Sequence, residues 1–294
     1  MNNYQIIKGL SLVLLVFSLS SWEISQESMD NQPTPGQSSY EITLAFSFEG
    51  NGQEAVLEAY MPTSDDRQHI RLIHQDIAGF EQQITEDQHG QNVQWRHAQA
   101  VGRQTIRYTF EFSGSASAYV VPFVELSNES YPAEVQSYLS ASSSVPSENS
   151  FIQKQAVQLA GTHQYMPTVL EAFYSYINDL PDQPGPAFAS LFYGREDWKN
   201  YFFIALTRAK GIPARAVNGL QIKSGGVYEM RQWAEVYVGG EWIPFDIHGQ
   251  HFAFLSDQYL TLHRGGNAAV QYSSDLAVET SLEVVPSMGL VGMR

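Results

Sequence analysis

Residues 231–238 (RQWAEVYV) and 241–247 (EWIPFDI) flank Gly239-Gly240. A Gly-Gly loop between alternating stretches signals a β-hairpin, because the favoured two-residue turns need positive φ. If Val238 pairs with Glu241, then Ala234 faces Phe245, Val236 faces Ile243 and Gln232 faces Ile247, an almost wholly apolar side. The other side carries Arg231, Trp233, Glu235, Tyr237, Trp242, Pro244, Asp246 and His248. There Arg231 pairs with His248 and Asp246 with Trp233. Arg231 and Asp246 become diagonal neighbours, roughly 7–8 Å apart at the backbone, a gap that a guanidinium spans. Parity alone therefore predicts a charged pair on a face crowded with aromatics.

The chemistry open to that pair is bounded by what the chain lacks. It has 0 Cys, which removes disulfides, thiolate metal sites and a thiol nucleophile. The run Asp246-Ile247-His248-Gly249-Gln250-His251 offers a carboxylate and imidazoles as candidate metal ligands. His248 and His251 would share a face only on a helix, and Gly249 argues against one, so they read as loop histidines and no metal or other cofactor is expected. His163 and His263 have no evident partners, and Asn128-Glu129-Ser130 matches a glycosylation acceptor, a motif common by chance. Lys+Arg is 16 against Asp+Glu 31, a net charge of −15, which argues against nucleic acid or an anionic lipid surface as partner.

The elements that must position these residues follow from hydrophobic period. The chain has 294 residues, enough for about two domains. In 40–49 (YEITLAFSFE), Tyr40, Ile42, Leu44, Phe46 and Phe48 alternate with mostly polar residues, and Ile106, Tyr108, Phe110 and Phe112 do the same in 105–112. Period 2 predicts half-buried strands. Residues 54–61 and 70–74 are further strand candidates, and Asn51-Gly52 and His89-Gly90 are turn signals. Residues 39–125 thus read as an antiparallel sandwich or half-barrel, followed by a Ser/Pro/Glu-rich connector over 126–150. Helical spacing then appears at Phe151, Ile152, Gln155, Ala156 and Leu159, and again at Val169, Leu170, Phe173, Tyr174 and Ile177. A third helix opens near residues 193–196, with Trp198, Phe202, Ala205, Leu206 and Ala209 as one apolar stripe, and Gly211 and Pro213 stop it.

At these residues the chain resembles a known family. Residues 151–250 are similar to the transglutaminase-like core, a papain-like α/β fold. The resemblance is carried by 189–215 (ASLFYGREDWKNYFFIALTRAKGIPAR) and 233–246 (WAEVYVGGEWIPFD). The family pattern runs G-x-C, a helix ending in R-A-x-G-I-P-A-R, then H-A-W-x-E-V-Y, then W-x-P-F-D. The resemblance implies an α+β fold class: an N-terminal antiparallel β-sandwich-like domain over 39–125, then a papain/transglutaminase-like core over 151–275; the apolar residues Ala277, Val278, Leu282, Val284 and Val285 predict a final strand and tail over 276–294.

The departures from that pattern bear on function. Counting back from Gly211, the family's nucleophilic cysteine falls on Glu196; counting back from Trp233, its histidine falls on Arg231; only its aspartate is kept, as Asp246. Active members use a thiolate to attack an acyl carbon. Arginine cannot serve as general base, since its pKa lies above about 12. Ser190 and Thr207 lie off the nucleophile position. The expectation is a pseudoenzyme whose vestigial positions Glu196, Arg231 and Asp246 form a salt-bridge chain and do no catalysis. Arg195, Trp198, Arg231, Trp233 and Trp242 are the candidate ligand-binding residues, with Arg231 as carboxylate anchor and the tryptophans as walls. The ligand expected is a peptide, an amino-acid-like molecule or a partner protein. The alternatives are a hydrolase using Glu196 as base and a purely structural module supporting a membrane protein. Arg208 and Arg215 read as structural.

Residues 1–22 have the shape of an export signal or N-terminal anchor: Lys8, then an apolar run over 9–22, then polar sequence. A flexible linker over 23–38 follows. The implied location is the periplasm or cell envelope, and the nearest resemblance is to the inactive transglutaminase-like proteins of bacterial envelopes, some of them fused to seven transmembrane helices. A separate membrane partner is therefore expected.

Overall fold

The computed structural model describes residues 39–128, 130–192, 197–266, 269–273 and 275–287. The export segment 1–22 and the linker 23–38 lie outside the described residues, as does Glu129 of the acceptor motif. Seven strands come first: β1 (Ser39–Asn51), β2 (Ala55–Met61), β3 (Gln68–Asp76), β4 (Glu81–Asp87), β5 (Gly90–His97), β6 (Val101–Gly114) and the short β7 (Ser117–Ala118). Four helices follow: α1 (Ser150–Ala160), α2 (Met166–Asn178), α3 (Pro186–Ala189) and α4 (Trp198–Ala209). The chain then returns to strands: β8 (Ala214–Ile222), β9 (Tyr228–Val238), β10 (Glu241–Asp246), β11 (His251–Phe252), β12 (Phe254–Leu255), β13 (Tyr259–Arg264), β14 (Val270–Tyr272) and β15 (Glu279–Pro286). The fold class is α+β, with antiparallel sheets throughout.

The period-2 stretches bury the side their alternation assigns. Tyr40, Ile42, Leu44, Phe46 and Phe48 of β1 and Ile106, Tyr108, Phe110 and Phe112 of β6 all point into one core. They meet Leu57, Val93 and Trp95 of a second sheet, with the Phe46 and Trp95 rings 5.8 Å apart. The sheet orders are β15-β1-β6-β3 and β14-β2-β5-β4, which together make a sandwich. β14 and β15, from the far end of the sequence, complete these two sheets.

The helices pack on the third sheet, β11-β10-β9-β8-β13. Asn149 caps α1 by accepting the Phe151 N–H at 2.9 Å, and Pro167 sits in the first turn of α2, where its missing N–H has no partner to lose. Ile152 and Ala156 of α1 and Val169, Leu170, Phe173 and Ile177 of α2 are fully buried, as their spacing requires. α4 differs from its expected single stripe. It is buried on every side from Trp198 to Thr207, because it runs between α1, α2 and the sheet. Its Lys199 escapes by reaching Asp182, 3.0 Å away. The expected start of this helix, residues 193–196, lies outside the described residues.

Candidate functional site

The β9–β10 hairpin turns through Gly239 (φ 61°) and Gly240 (φ 94°), both in the left-handed region that glycine tolerates. Val238 pairs with Glu241, Tyr237 with Trp242, Val236 with Ile243, Glu235 with Pro244 and Ala234 with Phe245. This is the register expected from the sequence. Ala234, Val236, Val238, Ile243, Phe245 and Ile247 are buried against the helices. Phe203 of α4 contacts Phe245, with rings 5.2 Å apart.

The ladder stops after Ala234–Phe245, so none of the expected Trp233–Asp246, Gln232–Ile247 and Arg231–His248 pairs forms. The fully buried amide of Asn200, in the first turn of α4, enters there. Its Nδ2 donates to the Gln232 carbonyl at 2.5 Å and its Oδ1 accepts the Ile247 N–H at 3.0 Å. Two backbone groups that the strands would have satisfied for each other are satisfied by one side chain. Beyond this point β10 turns to pair Asp246 with His251, and His248 is exposed and unpaired in the β9–β10 ladder.

Asp246 sits at this open end, fully buried. Its Oδ1 accepts the Gly249 N–H at 2.9 Å and its Oδ2 accepts the Tyr259 hydroxyl at 2.8 Å. Arg231 lies beside it, Nε 3.4 Å from Oδ2, as an ion pair in which that nitrogen makes no hydrogen bond. Gly249 admits no side chain: a Cβ would stand 2.5 Å from Asp246 Oδ2 and 2.7 Å from the Tyr259 oxygen. The neighbouring titratable groups respond to this buried charge. Burial, then Asp246, pushes Tyr259 above its ordinary value, with Arg231 pulling the other way. Burial and Asp246 push Tyr174 up to about 12. His251 is lowered, chiefly by burial and also by Arg231, against Asp246, so its imidazole is neutral at pH 7. For Arg231 the burial penalty is outweighed by Asp246, Tyr259 and Glu229, and its pKa is raised.

The turn end of the same face is built differently. Arg215 Nε and Nη2 both bond Glu235 Oε2, at 2.8 and 2.7 Å, and the guanidinium lies 3.9 Å over the Trp242 ring. Tyr138 and Tyr237 meet that ring edge-on, at 5.2 and 5.3 Å. This end opens on a cleft of about 680 Å³, whose lining includes Arg67, Arg215, Arg264, Glu235, Tyr119 and Trp242. Arg208 is structural: Nε donates to the Ala214 carbonyl at 2.8 Å and Nη1 to Ser140 at 2.6 Å, and burial lowers its pKa to about 10.

The candidate residues thus fall in different places. Arg231 and Asp246 come together; Arg195 and Glu196 lie outside the described residues. Trp198 and Trp233 are corrected from cleft walls to core residues. Trp198 is 2% exposed, packs on Phe188 and Phe202 and donates its indole N–H to Asp182 O at 2.6 Å. Trp233 is fully buried in a small cluster with Val217, Leu255 and Tyr259. Trp242 does border open space. Sequence reasoning missed Asn200, Tyr259 and Arg67. A lone amide just before the aromatic run Tyr201-Phe202-Phe203 was the available signal for Asn200; the other two carry no local motif. Among the described residues no group of three His, Asp or Glu could hold a metal ion, and no helix is long and apolar enough to cross a membrane.

Residues 171–247 match the family model of the transglutaminase-like superfamily, a stretch that contains both Arg231 and Asp246. Among solved structures, a provisionally named cysteine protease from Cytophaga hutchinsonii aligns with a TM-score of 0.63 and 14% identity, over 86% of this chain and 92% of that one. A provisionally named protease from Parabacteroides distasonis aligns with a TM-score of 0.27 and 10% identity, over 68% of this chain and 43% of that one. No curated protein matches the sequence. At 14% identity the first likeness is one of fold, and it extends across the sandwich as well as the helical half. Within an α+β fold, residues 171–247 are thus similar to the transglutaminase-like superfamily, in keeping with a transglutaminase-like, papain-like fold.

Proposed function

We propose that this chain is a catalytically inactive transglutaminase-like protein that binds a peptide or partner protein at the cell envelope. The observation that carries the reading is Arg231, held 3.4 Å from buried Asp246 at the position where the resemblance puts the family's histidine. Acyl transfer on such a core needs a thiolate and a base that exchanges protons near neutral pH. The chain has 0 Cys, and a guanidinium keeps its proton. His251 stands across from Asp246 as a neutral imidazole but has no thiol to activate. The envelope location rests on the apolar run over 9–22.

The test is turnover. Purified full chain, incubated with fluorogenic peptide amides and with amine acceptors, is expected to release and join nothing. Turnover that vanishes in Glu196→Gln would overturn the reading in favour of a hydrolase of altered mechanism. Fractionation of a tagged full chain tests the location; recovery in the cytoplasm alone would remove the envelope from the proposal.

A further inference from the structure

The 680 Å³ cleft is separate from the Arg231–Asp246 pair, neither of which lines it. Its size falls within the roughly 300–1,000 Å³ of small-ligand sites. Two of its three arginines are neutralised. Arg215 is bonded to Glu235, and Arg264 Nη2 lies 2.8 Å from Asp65 Oδ2. Arg67 is the exception. It is 8% exposed, Nη2 reaches the Tyr259 carbonyl only at 3.4 Å, and Nη1 is buried with no hydrogen bond. Among the described residues no carboxylate pairs with it. Its backbone is firmly placed, with its N–H on Asp65 Oδ1 at 2.9 Å and its carbonyl accepting the Ser115 N–H at 2.7 Å.

An uncompensated buried guanidinium is among the more expensive features a fold can keep, and it becomes favourable when an anion completes it. The surroundings limit which anion. Asp66 and Glu241 stand exposed at the lining and the whole chain carries −15, so a dianion is repelled more than a monoanion. Trp242, half-buried Tyr119, Ala116 and Ala118 supply an apolar surface beside the charge. We infer that this cleft binds a monocarboxylate, with the carboxylate on Arg67 and the body of the ligand against Trp242 and Tyr119. The inference deepens the binding role proposed above and rests on it, since the ligand is held and not turned over. A small organic acid and the C-terminus of a peptide offer the same chemistry.

Full chain is titrated with N-acetyl-alanine, N-acetyl-trialanine, the amides of both, and inorganic phosphate, following the indole N–H resonance of Trp242 and the melting temperature. Either acid is expected to saturate the shift and raise the melting temperature, while its amide binds at least tenfold more weakly. The tighter of the two acids identifies the source. Arg67→Met is expected to weaken acid binding at least tenfold without lowering the melting temperature of the free protein, and Arg71→Gln, on an exposed side chain, to leave binding unchanged. Equal binding of acid and amide, retention in Arg67→Met, phosphate binding tighter than either acid, or no acid binding at millimolar concentration each overturns the inference. If Arg67→Met does not fold, the acid-over-amide preference at Trp242 in the unmodified chain decides alone. Amide turnover with that preference intact would overturn the inactive core and leave the cleft standing; no turnover and no preference would do the reverse.

Discussion

The two ends of the β9–β10 hairpin each set a carboxylate against an arginine, Glu235 against Arg215 of the neighbouring β8 and Asp246 against Arg231 of β9, and the two pairs are built in opposite ways. At the turn end, Glu235 takes two short bonds from Arg215, and Arg215 covers Trp242. At the open end, Asp246 takes its hydrogen bonds from Tyr259 and Gly249, and Arg231 is left at 3.4 Å without one through Nε. The difference is one of geometry. The β8–β9 ladder sets Arg215 directly opposite Glu235, so strand spacing delivers a planar fork to a carboxylate. The β9–β10 ladder is interrupted beside Asp246 by Asn200, so the diagonal contact that parity implies is made loosely. Arginine–carboxylate juxtaposition is thus fixed by register, whereas bond quality is fixed by what else reaches the carboxylate.

Breaking the tight end should have the largest effect. Glu235→Ala leaves Arg215 buried without its counter-charge and is expected to destabilise by about 3–5 kcal/mol in urea unfolding, while Arg215→Met with Glu235→Leu together costs far less. A double variant as unstable as the single one would show that the pair stabilises beyond its own compensation. Next comes Asn200→Ala, which strands the Gln232 carbonyl and the Ile247 N–H in the interior; the expected loss is about 2–4 kcal/mol by the same measurement. A loss below about 1 kcal/mol would mean the strands can close the ladder themselves. Tyr259→Phe removes a hydrogen bond to a charged acceptor and is expected to cost about 1.5–3 kcal/mol, sharpening the claim that Tyr259 satisfies Asp246 in a way Arg231 does not.

The smallest effect is in pH. His251 has a folded pKa below its ordinary value, so the unfolded chain binds more protons as the pH falls. Its contribution is full above about pH 6.5 and is lost as the pH drops through the folded value, with a slope of at most about 1.4 kcal/mol per pH unit. His251→Phe is expected to flatten the stability profile between pH 7 and 5. An unchanged profile would place the acid sensitivity elsewhere.

Legibility in the sequence divided along the same line. Register, face and the approach of Arg231 to Asp246 follow from a Gly-Gly turn and period 2, both local properties. The strands around Leu44 and Phe110 and the helices around Ala156 and Phe173 were legible for the same reason. What was not legible depends on distant segments meeting. Asn200 reads as an ordinary helix residue until α4 docks on the hairpin. Trp198 and Trp233 read as candidate walls, yet their surroundings, helices in one case and Tyr259 in the other, close over them. Arg67 precedes the cleft partners Arg215 and Trp242 by more than half the chain, and no spacing rule links them.

The pairing of β1 with β15 sets an order of events during synthesis. Leu44 meets Leu282, and Leu57 meets Tyr272, so β1 and β2 gain these outer neighbours only after residues 270–286, more than 200 positions later, have left the ribosome. Until then the nascent sandwich has unpaired backbone along both strands, next to Ile42, Phe46 and Phe48. Late, long-range closure of this kind slows folding and lengthens the time spent in an aggregation-competent form. Production of this protein should therefore respond to slower translation or to holdase chaperones more than its final stability would indicate.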